Sequence, residues 1–326
     1  MKPIPYDEKV PIAEGIVFRG REAGHALGSI SIELTLSAFG KEKVVVFSGD
    51  LGPDALAVLK DSHPFTHADL VIMESTYGDH DHKSLQETLK EGGEIIRNSM
   101  QQKGKILVPS FALGRTQQIL FYLARAIDRG NLPELEVYLD SPMAIEATRI
   151  YLKYPELFDA DMNELYNSGV IKGDLSRIHA TESSEESKAI NEVEGPCMII
   201  AGSGMCNAGR ILHHLRHNLS DPKTTVMFVG YQAEGSLGRK LSDGAKTVKI
   251  WGEEIEVNAQ IAKMGGLSAH AGQSDLMKWF AAIAASKPGL ILTHGENDAR
   301  NCLAGLIEEQ YGIKALLPQM GETIEL

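Results

Sequence analysis

The chain has 326 residues and a mass of 35.5 kDa, the size of one large domain or two ordinary ones. Hydrophobic residues make up 43% and charged residues 23%, a globular composition that excludes disordered, collagenous and coiled-coil proteins. The net charge of −12 argues against binding nucleic acid by bulk electrostatics, and the three cysteines suit neither a disulfide framework nor a cysteine zinc site.

The first part of the chain has the pattern of an antiparallel sheet. Short β-branched runs at 15–18, 29–36 and 44–48 are separated by glycine or charged turns. After a further strand at 70–74, apolar residues recur at helical spacing over 84–102. Strands and helices then alternate, which is typical of βαβ units on a parallel sheet: strands 105–109, 135–140, 197–201 and 225–230, and helices 116–129, 143–151 and 209–218.

The alternating pattern returns at residue 247, with the hairpin turn expected at 251–254. This order indicates a strand-rich unit interrupted by an α/β insert. We place the boundaries after residues 78 and 245, so that 1–78 and 246–326 are two segments of one domain and 79–245 is the other.

Each strand of the interrupted unit ends in a small polar cluster, at 24–28, 48–52, 74–78, 268–271 and 293–296. Imidazoles and carboxylates delivered by separate strand ends, with glycines that let the backbone come close, are what a hydrolytic zinc site requires. Taken singly, each of these residues has an ordinary structural interpretation. The five clusters together favour a functional site.

The clusters resemble, in order and spacing, the motifs of the β-CASP metallo-β-lactamase-fold nucleases, particularly the branch related to the mRNA 3′-end cleavage endonuclease. His25 in GHALGS resembles the third metal motif, and Asp50 in FSGDLG resembles the fourth. Glu74 in ESTYGD resembles motif A, His270 in LSAHAGQ motif B, and His294 in LTHGE motif C. Segments 108–117, 140–144, 201–215 and 230–239 are similar to parts of the family's insert.

The resemblance implies an α/β fold in which a partial metallo-β-lactamase αββα sandwich is interrupted by a β-CASP domain with a parallel sheet. It implies two zinc ions in the complete protein, bridged by Asp50, with His25 and His294 each completing the coordination of one ion. Glu74 would orient His270 as the proton donor to the leaving oxygen. The implied catalytic residues are therefore Asp50, Glu74 and His270, and the metal ligands are His25, Asp50 and His294.

The sequence departs from the family pattern in one respect. The main metal motif, His-x-His-x-Asp-His, normally precedes the third motif and does not occur here, so four expected ligands are missing and the zinc site is incomplete. His80 and His82 imitate its first half, but Lys83 and Ser84 follow them, and we interpret both histidines as exposed residues at a helix start. His213, His214 and His217 on the predicted helix have a structural interpretation as well.

A glycine-rich turn between a strand and a helix, formed by Gly202, Ser203 and Gly204, is the main substrate-binding candidate. Backbone N–H groups at a helix N-terminus favour an anion, and Arg210 follows within one or two turns, so the turn is expected to bind RNA phosphate. Arg115 and Arg239, each following a glycine, are further candidates. Either arginine could equally hold the two domains together through carboxylates.

These patterns predict a zinc-dependent ribonuclease that acts in RNA processing or decay. We interpret the chain as the C-terminal portion of such an enzyme, and we expect its activity to depend on the missing motif. A non-catalytic RNA-binding or scaffold subunit is the alternative. The histidine at motif C is similar to the RNA-acting branch, since DNA-acting relatives usually carry valine there, so a DNA nuclease ranks third.

We expect RNA as the partner and leave a homodimer open. The longest apolar run, 280–285, and the polar start of the chain indicate no membrane association and a cytoplasmic location.

Overall fold

The computed structural model describes residues 4–54, 58–133, 135–169 and 178–324. The chain divides into two compact units, the first formed by Met1–His82 with Ala269–Leu326 and the second by Lys83–Ser268. The strands in chain order are β1 (Val10–Ala13), β2 (Ile16–Glu22), β3 (Ile30–Ala38), β4 (Lys41–Phe47), β5 (Leu70–Glu74), β6 (Lys105–Pro109), β7 (Glu136–Asp140), β8 (Ile178–Ala180), β9 (Cys197–Ala201), β10 (Thr225–Phe228), β11 (Thr247–Ile250), β12 (Glu253–Glu256), β13 (Gln260–Lys263), β14 (Gly289–Thr293) and β15 (Ala315–Leu316).

The α-helices, in the same order, are α1 (Leu85–Gln101), α2 (Arg115–Asp128), α3 (Pro142–Tyr151), α4 (Ala160–Ser168), α5 (Ser184–Ala189), α6 (Ile211–Asn218), α7 (Leu237–Ser242), α8 (Gln273–Ala284) and α9 (Asn297–Tyr311). Short 3-10 helices lie at Pro155–Leu157, Ile190–Glu192 and Gly265–Leu267. Helices α1, α2, α3 and α6 begin and end within two residues of their predicted bounds, whereas the bounds of the other α-helices were not predicted.

The first unit is built on one mixed sheet with the strand order β1-β2-β3-β4-β5-β14-β15 among the described residues. Strands β2, β3 and β4 pair antiparallel, as predicted, whereas β4, β5 and β14 run parallel to one another. Strands β5 and β14 are in register, with Glu74 opposite Thr293. The carboxyl ends of the parallel strands therefore meet at one edge of the sheet.

The core of the first unit lies between this sheet and the two C-terminal helices. Leu276, Phe280 and Ile283 recur at the spacing of one helix face and bury the inner side of α8. Leu303 and Ile307 do the same for α9. These side chains pack on buried residues of the central strands, so a close-packed core supports the sheet edge that carries the candidate residues.

The second unit contains a parallel sheet with the order β13-β10-β6-β9-β7-β8 among the described strands. The hairpin of β11 and β12 turns at Trp251 and Gly252, two residues shorter than the predicted turn of 251–254, with Thr247 opposite Glu256 and Ile250 opposite Glu253. Val248 and Ile255 of this hairpin join the core of the second unit.

The position of residues 246–268 differs from the sequence expectation, which assigned them to the interrupted unit. In the structure β13 pairs parallel with β10, from Thr225 opposite Gln260 to Phe228 opposite Lys263. The compact units consequently divide after His82 and Ser268, instead of after the predicted residues 78 and 245. Main-chain pairing with β10 holds this segment in the second unit.

The described helices include none that is both long enough and apolar enough to cross a membrane.

Candidate metal and catalytic site

Five predicted site residues come from five separate points of the first unit and meet at one edge of its sheet. His25 follows β2, Asp50 follows β4, and Glu74 is the last residue of β5. His294 directly follows β14, and His270 lies shortly before α8. Because β4, β5 and β14 are parallel neighbours, three of these positions are adjacent at the carboxyl ends of strands, where α/β proteins place their sites.

Two glycines allow the loops that carry His25 and Asp50 to cross. A Cβ on Gly52 would lie 2.1 Å from the carbonyl oxygen of Gly24, a distance that no side chain tolerates. The Gly52 N–H instead donates to the carbonyl oxygen of Ala23 at 2.7 Å. This close backbone contact explains why GHALGS and FSGDLG carry glycines beside their metal-ligand candidates.

Asp50 lies between two imidazoles. Its Oδ2 is 3.9 Å from His25 Nε2, and its Oδ1 is 3.5 Å from His294 Nε2. His25 Nδ1 lies 3.0 Å from the carbonyl oxygen of Ala269, and since a carbonyl only accepts, Nδ1 carries the proton. That tautomer presents the lone pair of Nε2 toward Asp50, which is the arrangement that a metal-binding histidine needs.

His270 lies beside His25 and Asp50. Ligand atoms of His25, Asp50 and His270 all lie within 4.8 Å of one another. The His270 ring centroid is 4.5 Å from that of His25 and 5.4 Å from that of His294. The structure thus groups His270, which the resemblance does not imply as a metal ligand, with His25 and Asp50, and His294 approaches this group at Asp50.

Glu74 and His270 form a buried acid–imidazole pair. Glu74 is 2% exposed, and both of its carboxylate oxygens lie 3.2 Å from His270 Nδ1. Its Oε1 also accepts the N–H of Leu51 at 2.5 Å. Burial alone would raise the pKa of Glu74, but hydrogen bonds from His270, Thr76 and Leu51 and the charge of His270 outweigh it and hold the pKa below its ordinary value. Glu74 is therefore an anion that orients the His270 ring.

Burial, followed by repulsion from the charge of His270, lowers the pKa of His25 from its ordinary value. The neighbouring Asp50 works in the opposite direction and does not overcome these effects. The neutral imidazole that results is the form that coordinates metals.

Sequence reasoning missed two supporting residues, Thr76 and His82. Thr76 Oγ1 donates to the carbonyl oxygen of His294 at 3.0 Å and lies 3.4 Å from His270 Nδ1. His82 Nε2 donates to the carbonyl oxygen of His270 at 2.8 Å. His294 itself has a positive φ of 51°, which its carbonyl contacts help to maintain. The only sequence signal was the position of Thr76 inside the ESTYGD motif.

The neighbouring histidine, His80, lies outside this arrangement. Its Nδ1 contacts Asp79 Oδ1 at 2.7 Å, and its side chain is exposed. This agrees with the sequence interpretation of His80 as an exposed residue, whereas His82 has a supporting role beside His270 that the sequence did not indicate.

The predicted phosphate-binding residues lie in the second unit, where Gly202, Ser203 and Gly204 follow β9. Helix α6 begins at Ile211, so the turn is separated from the helix N-terminus by a longer loop than the sequence indicated. The N–H of Ser203 donates to the carbonyl oxygen of Ala208 at 3.0 Å within that loop. The turn therefore does not lie at a helix N-terminus, where backbone N–H groups would favour an anion; Gly202 and Ser203 are half-buried and Gly204 is buried.

Arg210 contacts protein groups where the sequence predicted an RNA phosphate. Its Nη1 donates to Asp140 Oδ1 at 2.7 Å and to the carbonyl oxygen of Thr181 at 2.9 Å, while Nη2 donates to the carbonyl oxygen of Glu182 at 2.9 Å. Asp140 is fully buried and also accepts from Ser187. This network gives Arg210 a structural role that the sequence could not show.

The other two arginines differ in exposure. Arg115 is 5% exposed at the start of α2 and donates to Gln118 Oε1 at 3.0 Å. Arg239 pairs with Asp243 one turn further along α7 at 2.9 Å, and its side chain is 38% exposed. Arg239 is thus the more accessible of the two.

Known proteins resemble the chain in both of its parts. Residues 116–241 match the Beta-Casp domain, and residues 254–318 match the Zn-dependent metallo-hydrolase RNA specificity domain. A ribonuclease of Thermus thermophilus is 37% identical over 324 residues, which cover 99% of this chain and 72% of that protein. An RNase J-like protein of Methanocaldococcus jannaschii is 30% identical over 324 residues, covering 98% of this chain and 73% of the relative.

The transcription termination factor FttA of Pyrococcus horikoshii is 32% identical over 332 residues, covering 99% of this chain and 50% of the relative. The chain thus spans about half the length of that protein. The extended identity to the Thermus ribonuclease, together with the two domain matches, confirms the fold class and the family that the sequence motifs indicated. This chain belongs to the β-CASP family of metallo-β-lactamase-fold RNA nucleases.

Proposed function

We propose that this chain supplies the proton donor, part of the zinc site and RNA contacts of an RNA phosphodiester hydrolase. The observation that carries the proposal is the convergence of His25, Asp50 and His294 beside the buried Glu74–His270 pair. RNA as substrate is supported by the match to an RNA specificity domain and by the similarity to a ribonuclease.

His25, Asp50 and His294 fit a zinc site in their chemistry. Two imidazoles and a carboxylate are common zinc ligands, and the fixed tautomer of His25 presents a lone pair toward Asp50. A bound zinc ion supplies Lewis acidity toward phosphate oxygens and activates water. Three donors fall short of two closed sites of about four donors each, so the remaining ligands would come from the family's His-x-His-x-Asp-His motif.

In our proposal His270 is the catalytic proton donor. Its Nδ1 faces the anionic Glu74, which holds the ring in place and favours the protonated state. The proton would pass from Nε2 to the oxygen that leaves phosphorus, and Glu74 would stabilise the ring throughout. Thr76 and His82 act as positioning residues, because they contact the ring nitrogen and the carbonyl oxygen of His270.

For the RNA contacts, we propose Arg239 as the accessible arginine and retain from the predicted turn its half-buried residues Gly202 and Ser203, whereas Gly204 is buried. An exposed ion pair such as Arg239–Asp243 is worth little, so a phosphate can replace Asp243 at small cost. Arg115 and Arg210 are held by protein groups, and we assign them to the stability of the second unit.

The proposal is tested in a chain whose first residue is preceded by a family half-domain bearing His-x-His-x-Asp-His. Zinc content and single-turnover cleavage of labelled RNA are measured on the same preparations. We expect His270→Ala to retain zinc but to lose roughly 10²–10⁴-fold in cleavage rate, the usual contribution of a general acid. His294→Ala should lower both zinc content and cleavage.

The effects of His270→Ala on zinc content and on cleavage distinguish a proton donor from a metal ligand. A His270→Ala protein that cleaves normally would show that the proton donor is another group. A His270→Ala protein that loses zinc would make His270 a metal ligand, the role that its distance to His25 and Asp50 also permits.

A non-catalytic RNA-binding subunit is the second candidate, because only three of the implied zinc ligands occur in this chain. It would be supported if the extended, zinc-loaded chain bound RNA with the same affinity as the original chain but cleaved neither RNA nor DNA.

A further inference from the structure

A groove in the second unit lies between the β11–β12 hairpin and helices α6 and α7. It has a volume of about 530 Å³, and its lining includes Asn207, Lys240, Lys249, Trp251 and Glu254. This volume lies within the ~300–1,000 Å³ usual for binding clefts. The groove is therefore large enough to hold a nucleotide.

Trp251 projects from the tip of the hairpin at one end of the groove. It is the first residue of the two-residue turn, and 57% of its surface is exposed. Its ring centroid lies 4.5 Å from that of His213 on α6, with the planes tilted by 55°. The histidine supports the indole without covering it, so a large aromatic surface remains accessible to a flat ligand.

The hairpin that carries Trp251 is held firmly. Val248, Ile250 and Ile255 are buried in the core of the second unit. Arg216 of α6 donates from Nε to Glu253 Oε2 at 2.6 Å. A ligand that stacks on Trp251 would meet a surface already in place, so little conformational entropy is lost on binding.

The charges along the groove favour an anionic ligand. Lys240 and Lys249 are exposed, and within the described ranges neither forms an ion pair, while Glu254, the acid in the lining, lies opposite Lys249 in the hairpin. The nearby acids Glu253 and Asp243 are already compensated by Arg216 and Arg239. An aromatic surface beside lysines is the usual means by which proteins bind single-stranded nucleic acid.

We propose that this groove binds single-stranded RNA, with an unpaired base stacked on Trp251 and neighbouring phosphates contacted by Lys240 and Lys249. The inference rests on the proposed RNA substrate, and it is independent of the zinc site. Because stacking needs no base-specific hydrogen bond, the contact should be tolerant of sequence.

The test measures the dissociation constant of a short, unstructured, labelled oligoribonucleotide by fluorescence anisotropy in EDTA, where cleavage cannot interfere. We expect Trp251→Ala to weaken binding at least about fivefold, the lower end of what one base–aromatic stack contributes. Trp251→Tyr, which keeps an aromatic face, should retain most of the affinity. RNA should quench the emission of the wild-type protein but not that of Trp251→Tyr, in which the buried Trp279 is the remaining tryptophan.

Phe39 provides the matched control. It is an exposed aromatic residue at the first position of the two-residue turn between β3 and β4, and its φ of 51° equals that of Trp251. Phe39→Ala should leave RNA affinity unchanged. Binding of duplex RNA, whose bases are already stacked, should be insensitive to Trp251→Ala.

Three results would overturn the inference. Equal affinities of wild type and Trp251→Ala for single-stranded RNA would remove the stacking contact. An equal loss for duplex RNA would mean that Trp251 acts through folding or general charge. Absence of RNA binding by the wild type would overturn this inference and the proposed RNA contacts together, whereas a failed cleavage test would leave it standing.

Discussion

Asp140 organises the second unit through its two buried oxygens. Oδ1 accepts from Thr181 and Arg210, and Oδ2 accepts from Ser187 and His214, at distances of 2.5 to 2.7 Å. Burial alone would raise the pKa of this carboxyl. The hydrogen bonds from these four side chains outweigh burial and hold the pKa well below its ordinary range.

We expect Arg210→Ala to lower the free energy of unfolding. Removing one partner of a buried ion pair costs ~3–5 kcal/mol, but three other donors to Asp140 remain, so we expect a loss of about 2 kcal/mol. Arg216→Ala is the control, since the ion pair between Arg216 of α6 and Glu253 of β12 is exposed and should contribute at most ~1 kcal/mol. Denaturant unfolding of the three proteins measures both values, and equal losses would contradict the role of Asp140.

The ion pair between Asp140 and Arg210 should make the stability of the protein depend on pH in a defined direction. Because the pKa of Asp140 is lowered in the folded protein, its contribution to stability is complete above the unfolded value of about 4 and declines as the pH falls further. The difference in unfolding free energy between wild type and Arg210→Ala should therefore be constant near neutral pH and shrink below about pH 4. A difference that grows in acid would contradict this assignment.

At the scale of elements, the crossing of two loops at Gly24 and Gly52 positions the metal ligands. We expect Gly52→Ala to lower both stability and zinc retention, because its Cβ would collide with the Gly24 carbonyl and displace the loops of His25 and Asp50. Gly305→Ala in α9 is the control, since a Cβ there meets nothing within 4 Å. It should stabilise the protein by roughly 0.5–1 kcal/mol. Zinc retention by Gly52→Ala equal to that of the wild type would contradict the role of the crossing.

The local pattern of the sequence was sufficient for most elements as far as β10 and for four of the five polar clusters, because alternation, helical spacing and glycine turns are local properties. The fifth cluster, at 268–271, was expected at a strand end, but it follows the 3-10 helix Gly265–Leu267. Two kinds of information were not local. The sequence of the short strand β13 does not determine which sheet the strand joins, so its pairing with β10 could not be predicted. The partner of Arg210 is Asp140, 70 residues away, and only the folded chain brings a carboxylate to that guanidinium.

At the scale of the whole molecule, we expect the chain by itself to retain fewer than two zinc ions. The ligands assigned to zinc are His25, Asp50 and His294, whereas two closed sites need about four donors each. Elemental analysis after exhaustive dialysis gives the stoichiometry, and His179→Ala, an exposed histidine of the second unit, serves as a control that should change nothing. Two tightly held ions per chain would contradict the expectation and direct attention to His270 and His82 as additional ligands.

The pairing of β5 with β14 has a consequence for the synthesis of the protein. Leu70–Glu74 leaves the ribosome long before Gly289–Thr293, and the whole of Lys83–Ser268 is made in between. At ~5–20 residues per second, the open edge of β5 waits on the order of ten seconds or more for its neighbour, a period in which unpaired strands invite aggregation. His25 and Asp50 emerge early and His294 late, so an unfinished chain carries the first ligands of the proposed site without the last.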